Sequence, residues 1–336
     1  MILKSRVFSL ALLLAIAVMT PGVLKAQQPM NELPLGSGGS GSKTGGAGAM
    51  AGGVTGLDGG GETPAPGSTT GPEAVAFDGT SIWVATQFND SVTRVRVSDN
   101  VVTGTFATGK RPVALLYAAG SIWVANLLGD NVSKMNPATG AVTATYAVGD
   151  GPGGLAFDGT NLWIANREGN TVTKMSTAGV KLGTYPVGHR PLGVAFAGGS
   201  IWVVNNFSNS VTKLSLAGAV LGTYEVGKGP FGVAGQGDNV WVTNYFGKTV
   251  TKLRAADGVN LGTYNVGDGA AGVLFDGTFV WVVNNGDSTL MKLTPADGAI
   301  VSTFATGKGP FAIAFDGAKV WVPNFASNSV STAAAN

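Results

Sequence analysis

The chain has 336 residues, of which 53 are glycine, 44% are hydrophobic and only 12% are charged. High glycine with this apolar fraction is typical of a β-rich protein with many turns rather than a disordered one. The absence of cysteine excludes disulfides, thiol chemistry and attachment through a lipidated cysteine. The formal net charge is +2 and no run of basic residues occurs, which argues against nucleic acid as a partner.

The first 26 residues have the features of a secretory signal. Lys4 and Arg6 precede an apolar run from Val7 to Met19. This run is too short to cross a bilayer, which takes roughly 20 helical residues. We therefore predict cleavage after Ala26 and a secreted or periplasmic protein with no membrane insertion after cleavage. An uncleaved amino-terminal anchor is the alternative.

Residues 27–70 are rich in glycine, serine, threonine and proline and carry little apolar material. Such a segment buries too little surface to offset the entropy of ordering it, so the composition predicts a flexible tether.

From residue 71 onward the chain consists of seven copies of one unit of about 40 residues, a period that indicates a repeat architecture. Each copy holds one tryptophan, and together they are all the tryptophans of the protein: Trp83, Trp123, Trp163, Trp202, Trp241, Trp281 and Trp321.

One copy divides into four short strands, here Gly154–Phe157, Asn161–Ala165, Thr171–Met175 and Lys181–Pro186. The turn Asp158-Gly159 between the first two is a strong hairpin signal, because such turns need positive φ. Four antiparallel strands per unit are typical of a β-propeller blade. The sequence thus predicts an all-β, seven-bladed propeller over residues 71–336.

Three further positions recur, and we interpret each as structural. An aromatic residue on the fourth strand should pack at the outside of the blade, and an asparagine three positions after the tryptophan should hydrogen-bond its own loop. The basic residue on the third strand is predicted to be a solvated outer position. These basic residues are Arg94, Lys134, Lys174, Lys213, Lys252 and Lys292.

The seventh copy ends after its third strand, so closing the ring requires a strand from elsewhere or a three-stranded last blade. We favour completion by an amino-terminal strand taken from residues 53–69. By register the segment is Gly61–Thr69, and a second choice is Gly53–Leu57. Pro66 stands where other copies have an aromatic residue, which an outer edge strand tolerates.

Candidate binding residues are sought where the copies differ. The loops between the second and third strands and those between successive copies emerge on one face, here called the loop face, and they vary in sequence. Variable loops on a rigid scaffold are where binding usually takes place. Exposed aromatics mixed with charges suit a protein or polysaccharide partner, although ordinary loop residues are the alternative. The candidates are Arg111, Arg167, Glu168, His189, Arg190, Phe207, Phe231, Tyr245, Phe246, Phe311 and Phe325.

Catalysis has weaker support, and we lean against an enzyme. His189 is the single histidine of the chain, and Glu73 is the one carboxylate at the start of an inner strand. They form the sole candidate acid–base pair, but they lie on different blades. No nucleophile elbow or converging set of metal ligands is found, so we predict no metal and no cofactor. The leading hypothesis is a monomeric binding or scaffold module, and the alternative is a lyase or lactonase with a site at the channel mouth.

The repeat resembles the YVTN family of β-propeller repeats and, more loosely, NHL and virginiamycin B lyase-like propellers. Residues 190–228, RPLGVAFAGGSIWVVNNFSNSVTKLSLAGAVLGTYEVGK, carry the resemblance well. It covers about 266 residues and implies the propeller fold, whereas these families mix binding proteins with a few enzymes. The lyase branch implies a histidine and a glutamate as acid and base, and the gluconolactonase-like branch implies a metal in the channel.

Overall fold

The computed structural model describes residues 28–35 and 71–335, which form seven β-sheets arranged in a ring. Each blade contains four antiparallel strands, and the sixth carries a short fifth strand added in parallel, so the predicted seven-bladed propeller is confirmed. The proposed signal segment 1–26 and the segment 53–69 lie outside the described residues. Within the described ranges, no helix has the length and hydropathy of a membrane span. The helical residues described are a single 3-10 turn at Asn206–Ser208.

The strands run outward from the channel within each blade, and inner strands of successive blades are neighbours. The amino-terminal strands are β1 (Gln28–Pro29) and β2 (Asn31–Pro34). Blades one to three contain β3 (Pro72–Phe77), β4 (Ser81–Thr86), β5 (Ser91–Arg96), β6 (Val102–Ala107), β7 (Pro112–Ala118), β8 (Ser121–Asn126), β9 (Asn131–Met135), β10 (Val142–Ala147), β11 (Pro152–Phe157), β12 (Asn161–Asn166), β13 (Thr171–Ser176) and β14 (Lys181–Pro186). Blades four to seven contain β15 (Pro191–Ala197), β16 (Ser200–Asn205), β17 (Ser210–Leu214), β18 (Val220–Glu225), β19 (Pro230–Gln236), β20 (Asn239–Asn244), β21 (Thr249–Arg254), β22 (Asn260–Asn265), β23 (Ala270–Phe275), β24 (Val280–Asn284), β25 (Thr289–Leu293), β26 (Ile300–Ala305), β27 (Ala314–Phe315), β28 (Lys319–Asn324) and β29 (Ser329–Ala334).

The repeated tryptophan joins blades and anchors its own hairpin. Trp163 is fully buried and packs against Val194 and Ile201 of the next blade. Its Nε1 donates to Asp158 Oδ2 at 2.7 Å, while Asp158 Oδ1 accepts two backbone N–H groups of the turn. The Asp-Gly turn thus forms the hairpin, and its aspartate also accepts the hydrogen bond of the buried indole N–H.

The repeated asparagine is also structural. Asn166 is fully buried, and its Nδ2 donates to the hydroxyls of Thr171 and Thr173 at 2.9 Å each. Its Oδ1 accepts the N–H of Gly149 in the loop that precedes the blade. One side chain therefore joins the second strand, the third strand and the incoming loop of the third blade.

The prediction for the basic residue of the third strand is wrong. Lys213 is only 6% exposed, and its Nζ donates to the carbonyl oxygens of Ala255 and Ala256 in the next blade at 2.8 Å each. Its stem crosses the indole face of Trp202, with Nζ 5.4 Å from the ring centroid. The six basic residues donate in the same way to backbone carbonyl oxygens of the next blade, so this row joins blades and is not a solvated stripe.

The ring is closed by an amino-terminal strand. The strand β2 pairs antiparallel with β29, and Leu33 lies opposite Val330. In the third blade Tyr185 lies opposite Val172 in the same way. The outer position of the seventh blade is therefore filled by Asn31–Pro34, inside the segment predicted to be a tether.

Local sequence explains why residues 31–35 fill this position. Met30 to Gly36, MNELPLG, aligns with Leu182 to Gly188, LGTYPVG. Leu33 and Leu35 then take the apolar positions of Tyr185 and Val187. The segment 61–69 has no apolar residue larger than alanine or proline for those positions.

The same segment spans more than one blade. The short strand β1 adds in parallel to β26 of the sixth blade, and Met30 packs against the cluster around Trp281. Leu35 lies in the cluster that joins the seventh and first blades. Residues 28–35 thereby bind the sixth, seventh and first blades together.

Candidate ligand-binding site at the channel mouth

Each of the first six inner strands starts with a register shift at the loop face. In the first blade Pro72 pairs with Thr86 and Ala74 with Ala85, which leaves Glu73 as the extra residue. A bulge of this kind re-aims a side chain and is common beside functional sites. The corresponding residues of the ring are Glu73, Val113, Gly153, Leu192, Phe231, Ala271 and Phe311.

A cavity of about 230 Å³ opens at this mouth. Three charged side chains line it, Glu73, Arg111 and Arg167, and all three belong to the first three blades. Deeper in the channel its wall is apolar throughout and consists of Val75, Leu115, Leu155, Val194, Val233, Val273 and Ile313.

Arg111 occupies a backbone position that other blades reserve for glycine. Its φ is 56°, in the left-handed region that L side chains rarely adopt. A non-glycine residue there carries a conformational cost of about 1 kcal/mol or more. Arg190 is the second exception, with φ 54°, and the glycines of the other blades are Gly71, Gly151, Gly229, Gly269 and Gly309.

Glu73, Gln87 and Arg111 form a connected polar group. Arg111 Nε donates to Gln87 Oε1 at 2.7 Å, and the buried Gln87 amide also hydrogen-bonds the Glu73 carboxyl. Burial raises the pKa of Glu73 to about 7, although the charges of Arg111 and Arg167 and the bond from Gln87 act in the opposite direction. Near neutral pH, Glu73 therefore carries only part of a negative charge while both guanidiniums remain cations.

Arg167 reaches the cavity from the loop that follows β12. Its side chain is 12% exposed, and its Nε donates to Glu168 Oε1 at 2.8 Å. Glu168 itself is 57% exposed and does not line the cavity. The ion pair thus lies at the rim, with the acid facing solvent.

Aromatic side chains form the opposite side of the mouth. Phe311 is 2% exposed and contacts Phe231, with ring centroids 6.1 Å apart, and Phe325, at 5.9 Å. Phe231 continues to Tyr245, whose hydroxyl donates to Asn285 Oδ1 at 2.8 Å. Phe246 packs edge-on against Tyr245 and is 53% exposed. The mouth therefore has a cationic side and an aromatic side.

The remaining predicted residues lie away from the cavity. Arg190 is 7% exposed and its guanidinium lies 4.4 Å from the ring centroid of Phe207, which is 56% exposed. His189 is exposed in the same loop, and its backbone N–H donates to Ser208 Oγ. The structure does not bring His189 to Glu73, because Glu73 lines the cavity and faces Gln87, Arg111 and Arg167.

Sequence reasoning missed Gln87 and Leu127, both of which contribute to the mouth. They occupy the position directly after the repeated asparagine or, in the first copy, Thr86. The residue at that position differs in nearly every copy, whereas the asparagine position directly before it is almost constant. This contrast between adjacent positions would have identified it. Its seven residues are Gln87, Leu127, Arg167, Asn206, Tyr245, Asn285 and Phe325.

Metal ligands do not converge at the mouth. Across residues 28–35 and 71–335, no three histidine, aspartate or glutamate side chains come together as a metal site requires. The acidic residues at the hairpin turns on the opposite face bind the tryptophan indoles instead.

The fold is shared with solved propellers of low sequence identity. The sequence matches no protein-family model and no curated protein. A streptogramin B lyase structure superposes with a TM-score of 0.69 at 16% identity, over 78% of this chain and 93% of that chain. Hydrazine synthase of Kuenenia stuttgartiensis gives 0.71 at 20% identity, over 79% and 96%, and virginiamycin B lyase of Staphylococcus aureus gives 0.69 at 16%, over 78% and 94%. These likenesses establish that the chain is a β-propeller.

Proposed function

We propose that the protein is an exported, monomeric binding module that recognises a protein or polysaccharide partner through its loop face, with the channel-mouth cavity at the centre of the site. The carrying observation is the two-sided mouth, which has guanidiniums on one side and aromatic rings on the other. The arginines and phenylalanines on its two sides differ from the residues that most other copies carry at the same positions. A cavity with an apolar wall and a few convergent polar groups is the usual form of a binding site.

Exposed aromatics elsewhere on the loop face extend this surface. Phe207 and Phe246 are 56% and 53% exposed on the loop face. Aromatic side chains supply much of the binding energy at protein interfaces. A partner that inserts one group into the cavity would cover these rings with its adjacent part.

A matched pair of variants tests the proposal. Peptide and glycan arrays are probed with the wild type, with a Phe207→Ala, Phe246→Ala variant, and with a Val180→Ala, Leu221→Ala variant. Val180 and Leu221 are 58% and 53% exposed but lie at the outside of the blades, so the same apolar exposure is removed elsewhere. Loss of a bound partner in the first variant alone is expected. Equal binding by both variants, or no partner on either array, would contradict the proposal.

The second candidate is a lyase or lactonase, and one observation favours it. A carboxyl whose pKa is about 7, in a cavity, suits a general acid or base. Streptogramin B lyase and virginiamycin B lyase share the fold, and the latter has been solved with quinupristin. The test is turnover of quinupristin and simple lactones by the wild type and by a Glu73→Ala, His189→Ala variant. Turnover that disappears only in the variant would favour the enzyme, and turnover retained in the variant would remove this candidate pair.

A further inference from the structure

We propose that the cavity binds a carboxylate carried on an apolar body, and that its occupant is the carboxyl terminus of a peptide whose last side chain is apolar. This inference rests on the proposed binding function and names the chemistry of the group that enters the cavity.

The first argument is uncompensated positive charge. Two guanidiniums and one carboxyl line the cavity. The carboxyl of Glu73 is partly protonated at neutral pH, and Glu168 pairs with Arg167 from the solvent side. The lining therefore carries a net positive charge inside a largely apolar site, where an anion is attracted strongly.

The second argument concerns the guanidinium N–H groups that remain available to a ligand. Arg111 uses Nε on Gln87 and Arg167 uses Nε on Glu168. Among the described residues, none of the four Nη atoms donates a hydrogen bond. Guanidinium groups presented in this way match the two oxygens of a carboxylate, which accepts parallel N–H bonds.

The third argument is the apolar wall. The cavity continues into the ring of valine, leucine and isoleucine side chains below the charged group, and Phe231 and Phe311 close its far side. A cavity of 150 Å³ holds one benzene molecule. The 230 Å³ found here has room for a single apolar side chain together with its carboxylate.

The same wall favours a peptide over an acidic sugar. The hydroxyls of a uronate would lose their hydrogen bonds to water against this apolar ring, and buried unpaired hydroxyls oppose binding. A terminal residue with an apolar side chain places its charge beside Arg111 and Arg167 and its side chain in the channel. The preceding residues of the peptide then leave across the loop face, where Phe207 and Phe246 are exposed.

The Arg111 position offers a variant that should fold. Arg111→Gly gives the loop the residue that five other blades carry at the same left-handed φ, so the backbone strain is relieved. Arg167→Gln keeps most of the side-chain volume while it removes the charge. Arg96→Gln is the control, since Arg96 is an exposed cation paired with Asp99 at a turn distant from the cavity.

The test is calorimetric titration of the full chain with four probes. They are an N-acetylated tetrapeptide ending in phenylalanine with a free carboxylate, the same peptide as its C-terminal amide, 4-phenylbutyrate and digalacturonate. We expect the free-acid peptide to bind best and the amide to bind about 10- to 100-fold more weakly. Arg111→Gly and Arg167→Gln should each weaken the free-acid peptide by a similar factor. Arg96→Gln should stay within about two-fold of the wild type.

Several outcomes would overturn the inference. An amide that binds as tightly as the acid, or arginine variants that bind as the wild type does, would remove carboxylate recognition. Phenylbutyrate binding as tightly as the peptide would assign the cavity to a free acid, and tighter digalacturonate binding would assign it to a polysaccharide. No binding of any probe up to about 5 mM would also refute it. A partner whose binding depends on Phe207 and Phe246 but not on Arg111 would refute this inference alone and leave the proposed function standing.

Discussion

Replacing Glu73 by glutamine should make the protein more stable at alkaline pH and should remove part of its pH dependence. Glu73 lies in a bulge at the channel mouth, where burial raises the pKa of its carboxyl to about 7. Arg111, Arg167 and Gln87 lower this pKa, but burial has the larger effect. Glutamine has nearly the same shape and does not ionise. The substitution therefore removes the cost of a buried charge while it keeps the packing.

The magnitude follows from the pKa. The unfolded chain releases the Glu73 proton near its ordinary pKa of 4.5, whereas the folded chain retains it until about pH 7. Between these values the folded state binds more protons, so the wild-type free energy of unfolding falls as pH rises and levels off above about pH 7. The whole interval corresponds to about 3 kcal/mol. The stability advantage of Glu73→Gln should grow by that amount from about pH 4.5 to about pH 8.

Urea denaturation of the wild type and Glu73→Gln at both pH values measures this difference. Glu168→Gln is the matched control, because it removes an exposed carboxylate from the same face and should change stability by less than about 0.5 kcal/mol. A stability difference between Glu73→Gln and the wild type that is the same at both pH values would show that Glu73 is already ionised in the folded protein. The buried-acid reasoning would then be wrong.

Three further outcomes are expected. Lys213→Met should lower the free energy of unfolding by about 1–3 kcal/mol, because the carbonyls of the next blade lose a buried donor. The control Lys248→Met breaks an exposed ion pair and should cost less than about 1 kcal/mol. Equal losses in urea denaturation would contradict the role given to the basic row. Leu33→Asp should release the edge of the seventh blade, which lowers the urea midpoint and causes self-association in gel filtration. The control Leu182→Asp lies at an exposed position of an outer strand and should do neither. A monomeric Leu33→Asp protein with an unchanged urea midpoint would contradict closure of the ring by this strand. Affinity for the free-acid peptide should fall as pH rises from about 6 to about 8, since ionised Glu73 repels a second carboxylate. Glu73→Gln should abolish that fall. If calorimetry shows the same fall in the variant, another group is responsible for it.

The blades could be predicted from the sequence because their determinants are local. Every hairpin carries a tryptophan at the same register, and in four of the seven an aspartate five residues earlier, such as Asp158 before Trp163, specifies the turn. The strand that closes the ring could not be placed as easily. Closeness in the chain favoured a closing strand just before residue 71. The pairing is decided instead by Leu33 and Leu35, whose apolar side chains fit the outer position of the blade.

The site shows a similar division. Arg111, Arg167, Phe231 and Phe311 were identified because they interrupt a repeat, and they line the cavity. Arg190 lies in a loop with the same Gly-x-Arg-Pro sequence as Arg111, yet its guanidinium packs on Phe207 and not in the cavity. The direction of such a side chain depends on the neighbours that the fold supplies, and sequence alone does not contain them. The burial of the basic row escaped prediction for the same reason, because its carbonyl partners lie more than 40 residues away.

The order of synthesis sets a constraint on how the ring can form. Glu32 and its partner Ser329 are 297 positions apart, so the closing strand is made long before its acceptor strand. Each blade contains mainly local contacts and can fold as it appears, whereas this contact has to wait for β29 and bears a far larger loop-closure entropy than a contact within one blade. Every chain that stops before β29 therefore lacks its closure and presents an unpaired edge, so a sealed ring requires synthesis through this strand.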